Sequence, residues 1–171
     1  MDHTTPRRGP LPADSAGRDR LPADSAGRGR LPADAALLFA YGTLRFGAVL
    51  DALLGRIPHR VPAVAPGWRA ASLEGRVYPG LVAAPGSAAP GVLLTGLSRR
   101  EWAVLDAFED DRYDVREVSL TSGRSGLAYV WRGGEVRDET WDAERFRARH
   151  LEAYAARCAR IAPGLAAEAD R

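Results

Sequence analysis

The chain has 171 residues and a formal charge of +2, with 24 lysines and arginines against 22 acidic residues. That length suits one ordinary domain, and so balanced a charge leaves no electrostatic footprint for phosphate backbones or anionic membranes, so neither nucleic acid nor membrane is an expected partner. All 24 of those basic residues are arginines, which excludes a Schiff-base lysine, a lysine-anchored cofactor and a P-loop. The single thiol, Cys158, excludes an internal disulfide and a cysteine-built metal site, and it suits a reducing, cytoplasmic setting. No apolar run reaches the ~18 residues of a membrane span, and no apolar signal core follows the N-terminal arginines.

The first segment is a decapeptide repeat. Leu11–Arg20 reads LPADSAGRDR, Leu21–Arg30 reads LPADSAGRGR, and a third copy begins at Leu31 and breaks off after LPADA. One leucine per unit cannot bury enough apolar surface to offset backbone ordering entropy, so residues 1–35 are expected to be a disordered extension. A solenoid needs longer units, and a docking tether is the remaining alternative. The domain is expected over 36–162, with a flexible C-terminus at 163–171.

From Leu37 the texture changes. LLFAY is a short apolar run closed by a glycine turn, the pattern of a buried strand, and a helix of about two turns is predicted over Ala48–Leu54, ended by Gly55. Prolines and glycines crowd the stretch from Val61 to Pro90, which is expected to form irregular strands and loops, with short strands at Trp68–Leu73 and Arg76–Val82. GVLLTGL, Gly91–Leu97, is a further strand. Ser98 then stands three residues before Glu101, a capping box that starts a helix running to about Glu109. Strands near Val115–Thr121 and Gly126–Trp131 are joined across Ser122–Ser125 as a hairpin. A last helix is predicted over Asp142–Arg160, its apolar face carrying Phe146, His150, Tyr154, Cys158 and Ile161. Strands and helices mix without regular alternation, so the expected class is α+β, a small mixed β-barrel or sheet flanked by helices.

Two constellations could carry chemistry. On the helix after Ser98, Trp102, Leu105 and Phe108 form an apolar stripe, and Glu109 projects onto the same side. A carboxylate buried at that edge gains proton affinity by desolvation and becomes a candidate acid/base, whereas one that swings to solvent does nothing. Asp106, one turn earlier, is either a like charge that would raise it further or a solvated neighbour or local hydrogen-bond acceptor. The second constellation is Tyr41-Gly42-Thr43-Leu44-Arg45. A glycine turn between strand and helix lets backbone amides converge on a carboxylate or oxyanion, with Arg45 as a counter-charge, although such a turn is more often only a turn.

Taken together, FAYGTLR at Phe39–Arg45 and LDAFEDDRY at Leu105–Tyr113 resemble the γ-glutamylcyclotransferase-like family, in particular its avirulence-induced-gene-like branch. The similarity continues through GVLLTGL, REVSL and AYVW to Trp141, Phe146, His150 and Leu151, and so covers roughly Leu37–Tyr154. The resemblance implies a small mixed barrel flanked by helices. It makes Glu109 the catalytic acid/base and Tyr41, Gly42, Thr43 and Leu44 the substrate turn, with Tyr113 and, more loosely, Tyr129 as further binding positions. Asp110 stands where a glycine often follows the family glutamate, and Val115 stands where an arginine is often found.

The implied reaction lets the α-amine of a γ-glutamyl amine or peptide attack its own side-chain carbonyl, releasing 5-oxoproline and a free amine. Closing a five-membered ring gains from high effective molarity, so one carboxylate and a set of amide donors suffice, with Arg45 assisting. Neither a metal nor an organic cofactor is implied, and the expected partner is a small-molecule γ-glutamyl substrate, on a monomer or weak dimer. The alternative is a non-catalytic small-molecule-binding protein on the same fold. His3, His59, His150 and Cys158 show no ligand spacing and are expected to be structural or solvent-facing.

Overall fold

A computed structural model of the protein describes residues 37–171. The repeated decapeptides lie outside the described residues. In chain order the elements are β1 (Leu38–Ala40), a 3-10 turn (Thr43–Arg45), α1 (Gly47–Leu54), β2 (His59–Leu73), β3 (Gly80–Thr95), α2 (Arg99–Phe108), β4 (Tyr113–Ser119), β5 (Ser125–Trp131), β6 (Val136–Thr140), α3 (Ala143–Arg149) and α4 (Leu151–Ala169). The class is α+β, as the mixture of periodicities predicts.

The six strands form one sheet in the order β4-β5-β1-β3-β2-β6. Short β1 sits at its centre, antiparallel to β3 (Phe39 opposite Leu93) and parallel to β5 (Leu38 opposite Leu127). Where β1 stops, β3 and β5 pair directly through Leu81 and Val130, and their parallel sense there means that β3 has bent round. The sheet therefore curls into a half-barrel. The apolar run LLFAY is buried on both faces, because alternate residues serve different cores. Leu38 and Ala40 pack with Leu50, Leu94, Trp102, Leu105 and Phe146 under the helices. Phe39 and Tyr41 pack with Leu81, Leu93, Val118 and Val130 inside the curl. The approach of β3 to β1 is close: a Cβ on Gly91 would lie 2.5 Å from the Ala40 carbonyl oxygen.

Three expectations are corrected. The Pro- and Gly-rich stretch is not a set of irregular pieces but a long two-stranded ribbon, β2 against β3, in register from His59 opposite Thr95 to Ala71 opposite Gly80. Its prolines 62, 66, 85 and 90 are all exposed, and the register shifts between Pro66 and Trp68, where Gly67 takes φ +82°. A bulge thus absorbs the residues that the pattern reads as breakers. Strand β6 was not expected, since VRDET is exposed throughout and has no alternation to reveal it. Finally, the terminal helix is two helices meeting at His150, and α4 continues through Pro163 to Ala169 where a flexible 163–171 was expected. Its far end is tied by Arg100, which bonds both carboxylate oxygens of Asp170 at 2.7 and 3.0 Å.

Candidate active site

Helix α2 begins where the sequence requires. The Ser98 hydroxyl accepts from the Glu101 amide at 3.2 Å, and the Glu101 carboxylate accepts from the Ser98 amide at 2.8 Å. Arg56 holds the same carboxylate from α1's C-terminal end. Ten residues later the helix ends, and Glu109 is its C-cap, its amide still bonded to the Leu105 carbonyl while its own backbone turns extended. That change of direction sends the glutamate into a cleft of about 240 Å3 beside the end of β1.

Across the cleft stands the turn that closes β1. Tyr41, Gly42, Thr43 and Leu44 all line it. The Arg45 and Phe46 amides are spent on the carbonyls of Gly42 and Thr43, but among the described residues the amides of Thr43 and Leu44 make no hydrogen bond, as expected of the first N–H groups of a helical turn. Gly42 is required here by proximity: a Cβ would meet Pro79 Cγ at 2.9 Å and push that wall outward. Arg45 is not brought to the cleft. Its backbone carbonyl is bonded by Arg60, and its guanidinium is influenced by Glu144 and Arg147 on α3.

Tyrosines frame the glutamate. The Tyr41 hydroxyl donates to the Tyr129 carbonyl at 2.5 Å, the Tyr129 hydroxyl to Asp106 Oδ1 at 2.5 Å, and the Tyr113 hydroxyl to the Pro79 carbonyl at 2.6 Å. Burial raises the proton affinity of all three, and that of Tyr154 to about 12, so the phenols stay neutral donors at physiological pH. Asp110 remains ionised, held below the usual range first by the Arg112 amide. Glu109 is the exception. Burial first, then the negative charges of Asp106 and Asp110, push its carboxyl up to about 8. It is the cleft group poised to exchange a proton near neutrality. Of the predicted binding positions, Tyr113 and Tyr129 also line the cleft.

Pattern reading missed Tyr78, Phe108, Tyr154 and Arg157, which also line the cleft. Tyr154 bridges both constellations: its hydroxyl accepts from Thr43 Oγ1 at 3.4 Å, and its ring meets Phe108 edge-on at 6.4 Å. Its place on the apolar stripe of the last helix was the available signal. Tyr78 stands in the connection between β2 and β3, where Arg76 donates to its hydroxyl at 3.1 Å, and no local pattern marks it. His150 and Cys158 lie off the cleft, the first exposed and the second buried in the core under the helices. Among the described residues no cluster of histidine, cysteine and carboxylate side chains could hold a metal.

The curled sheet flanked by helices is a cyclotransferase-like fold, and in its cleft a glutamate at a helix end faces a glycine turn. The family model described as "Gamma-glutamyl cyclotransferase, AIG2-like" matches residues 38–148, and the chain belongs to that family. It is 34% identical over 125 residues to AIG2-like protein D of Arabidopsis thaliana, covering 68% of this chain and 82% of that one. It is 36% identical over 124 residues to AIG2-like protein C of the same plant, covering 68% and 72%. Among solved structures, the solution structure of an Arabidopsis thaliana protein superposes with a TM-score of 0.57 at 26% identity, over 77% of this chain and 85% of that one.

Proposed function

We propose that the protein is a γ-glutamylcyclotransferase-type enzyme, releasing 5-oxoproline and a free amine from a γ-glutamyl amine or peptide. The observation that carries this reading is the juxtaposition of Glu109, with its proton affinity near neutral, and the unpartnered amides of Thr43 and Leu44 across one small cleft. A carboxylate that only bound a cation or capped a helix would gain nothing from burial among tyrosines, whereas a proton shuttle needs a pKa close to the working pH.

The chemistry then needs few groups. The turn amides hold the substrate's α-carboxylate. Ionised Glu109 takes a proton from the α-ammonium, and the freed amine attacks the γ-carbonyl carbon, forming the ring C–N bond. Protonated Glu109 then gives its proton to the leaving nitrogen as the tetrahedral oxyanion collapses and the original amide bond breaks. The regenerated carboxylate takes the surplus proton from the ring nitrogen and passes it to the departing amine, which leaves as an ammonium while the ring nitrogen becomes the neutral lactam. One carboxylate serves these transfers in sequence, and proximity within a single molecule supplies the nucleophile, an advantage of at most about 7 to 11 kcal/mol. Neutral phenols around the site exclude water and leave Glu109 as the base. The cleft, at about 240 Å3, suits a ligand of dipeptide size.

The test is 5-oxoproline release from a panel of γ-glutamyl amines by the wild type and by Glu109→Gln. We expect the variant to lose at least ~100-fold in kcat, the scale of general acid–base catalysis. Binding of γ-glutamyl compounds by a folded protein with no release from any panel member would instead favour the binding-protein alternative on the same fold.

A further inference from the structure

The family match ends at residue 148, so α4 lies wholly beyond it, yet α4 builds one wall of the cleft with Tyr154, Arg157 and Ile161. Their spacing of three and four places them on one helix face. Arg157 is the only cationic side chain among the described residues that line the cleft, and no ion pair or hydrogen bond among the described residues engages its guanidinium. The other charged groups of the cleft are accounted for: Asp110 faces Arg112 at 3.5 Å, and Glu109 is the proposed base.

Its position decides what it can reach. Arg157 reaches the cleft from α4, three residues after Tyr154, whereas Glu109 reaches it from the end of α2. Tyr154 touches Thr43 of the turn and Phe108, the residue before Glu109. With the substrate α-carboxylate assigned to the turn amides and the reacting centre to Glu109, the part of the substrate left for Arg157, one helical turn beyond Tyr154, is what lies beyond the scissile amide. A guanidinium with no protein carboxylate is matched by a carboxylate or another planar anion, which it can hold with two parallel N–H bonds.

We infer that Arg157 is a specificity-determining residue that selects γ-glutamyl substrates whose leaving amine bears a carboxylate, over those releasing a plain alkylamine. The inference rests on the cyclotransferase reading for the orientation of the substrate. Two ligands isolate it: γ-glutamyl-alanine and γ-glutamyl-ethylamine, which differ only in that carboxylate. Binding of each is measured by titration calorimetry in the Glu109→Gln protein, which holds turnover down, with and without Arg157→Met and Arg157→Lys. Methionine is a good helix former and the site is exposed, so circular dichroism should be unchanged.

Arg157→Met is expected to weaken γ-glutamyl-alanine by about 10-fold or more, the loss of one charge-assisted bidentate contact, and to leave γ-glutamyl-ethylamine within about 2-fold. Arg157→Lys is expected to recover part of the loss, since it keeps the charge without the fork. Equal losses on both ligands would place the guanidinium on the glutamyl end and overturn the inference, as would no loss on either or no binding of either. Assay of the wild type for 5-oxoproline separates the two claims. Binding discrimination without release from either compound would sink the cyclotransferase reading and leave the Arg157 preference standing.

Discussion

Asp106 and Glu109 are three residues apart on α2, and that single turn sets the chemistry available to the site. Both are acidic, yet their surroundings differ. Asp106 accepts a hydrogen bond from Tyr129 that partly offsets its burial, whereas Glu109 faces the cleft with no hydrogen bond to its carboxylate among the described residues. The negative charge of Asp106 is, after burial, the largest influence holding the Glu109 proton on. For a base, kcat/KM rises as the group ionises, so the acidic limb of the profile should bend near pH 8. Asp106→Asn keeps an oxygen for the Tyr129 hydroxyl but removes the like charge, which favours ionised Glu109. The limb is then expected to move to lower pH, by about half a unit to one unit, with the fold unchanged. A pH–rate series on the two proteins measures this directly, and a shift to higher pH would mean that hydrogen bonding, rather than charge, is what Asp106 contributes.

Among the elements, those with a local chemical signature were legible and those defined by distant partners were not. The capping box of α2, the buried run of β1 and the β4–β5 hairpin each carry their reason within a few residues, and each forms as expected. Ribbon β2–β3 was hidden because its prolines read as breakers, while their exposure and the bulge at Gly67 let the ladder continue past them. Strand β6 pairs with β2 at Ala71–Thr140 and Leu73–Val136 while its own side chains are all exposed, so backbone pairing rather than burial of its side chains defines it. The same division holds at the site. Glu109 and the Tyr41–Leu44 turn carry local signals, but Tyr78, Tyr154 and Arg157 reach the cleft from other elements, which sequence spacing cannot express. Since α2 both starts at a cap and ends at the glutamate, its two ends can be separated experimentally. Ser98→Ala should lower stability by about 0.5 to 2 kcal/mol through loss of the cap, read in chemical denaturation. Because Glu109 is fixed by the opposite end of the helix, kcat/KM is expected to stay within about 2-fold of wild type, and a larger loss would show that fraying at Ser98 reaches the base.

At the scale of the whole molecule, the curl of the sheet is what makes a site out of a turn. β1 is only three residues long, so β5 and β3 close beyond its end, and the chain leaving at Tyr41 must pass over that seam. There it meets the end of α2 on one side and, through Thr43 and Tyr154, α4 on the other. Three parts of the chain, around residues 41, 109 and 154, are thus brought to one cleft by the packing of α1, α2 and α4 over the sheet, with Leu50, Trp102, Leu105 and Cys158 in the shared core. Every described residue lining the cleft belongs to the segment from Leu38 to Ile161. If the cleft is the working part of the protein, a chain beginning at Ala36 should keep kcat/KM within about 2-fold and unfold at the same temperature within about 2 °C, since surface changes away from packed features are worth at most about 0.5 kcal/mol. Loss of turnover in that shortened protein, with its melting temperature intact, would mean that the repeat takes part in binding substrate or in closing the cleft. Loss of the melting transition itself would mean that the repeat is part of the folded domain, which its composition argues against.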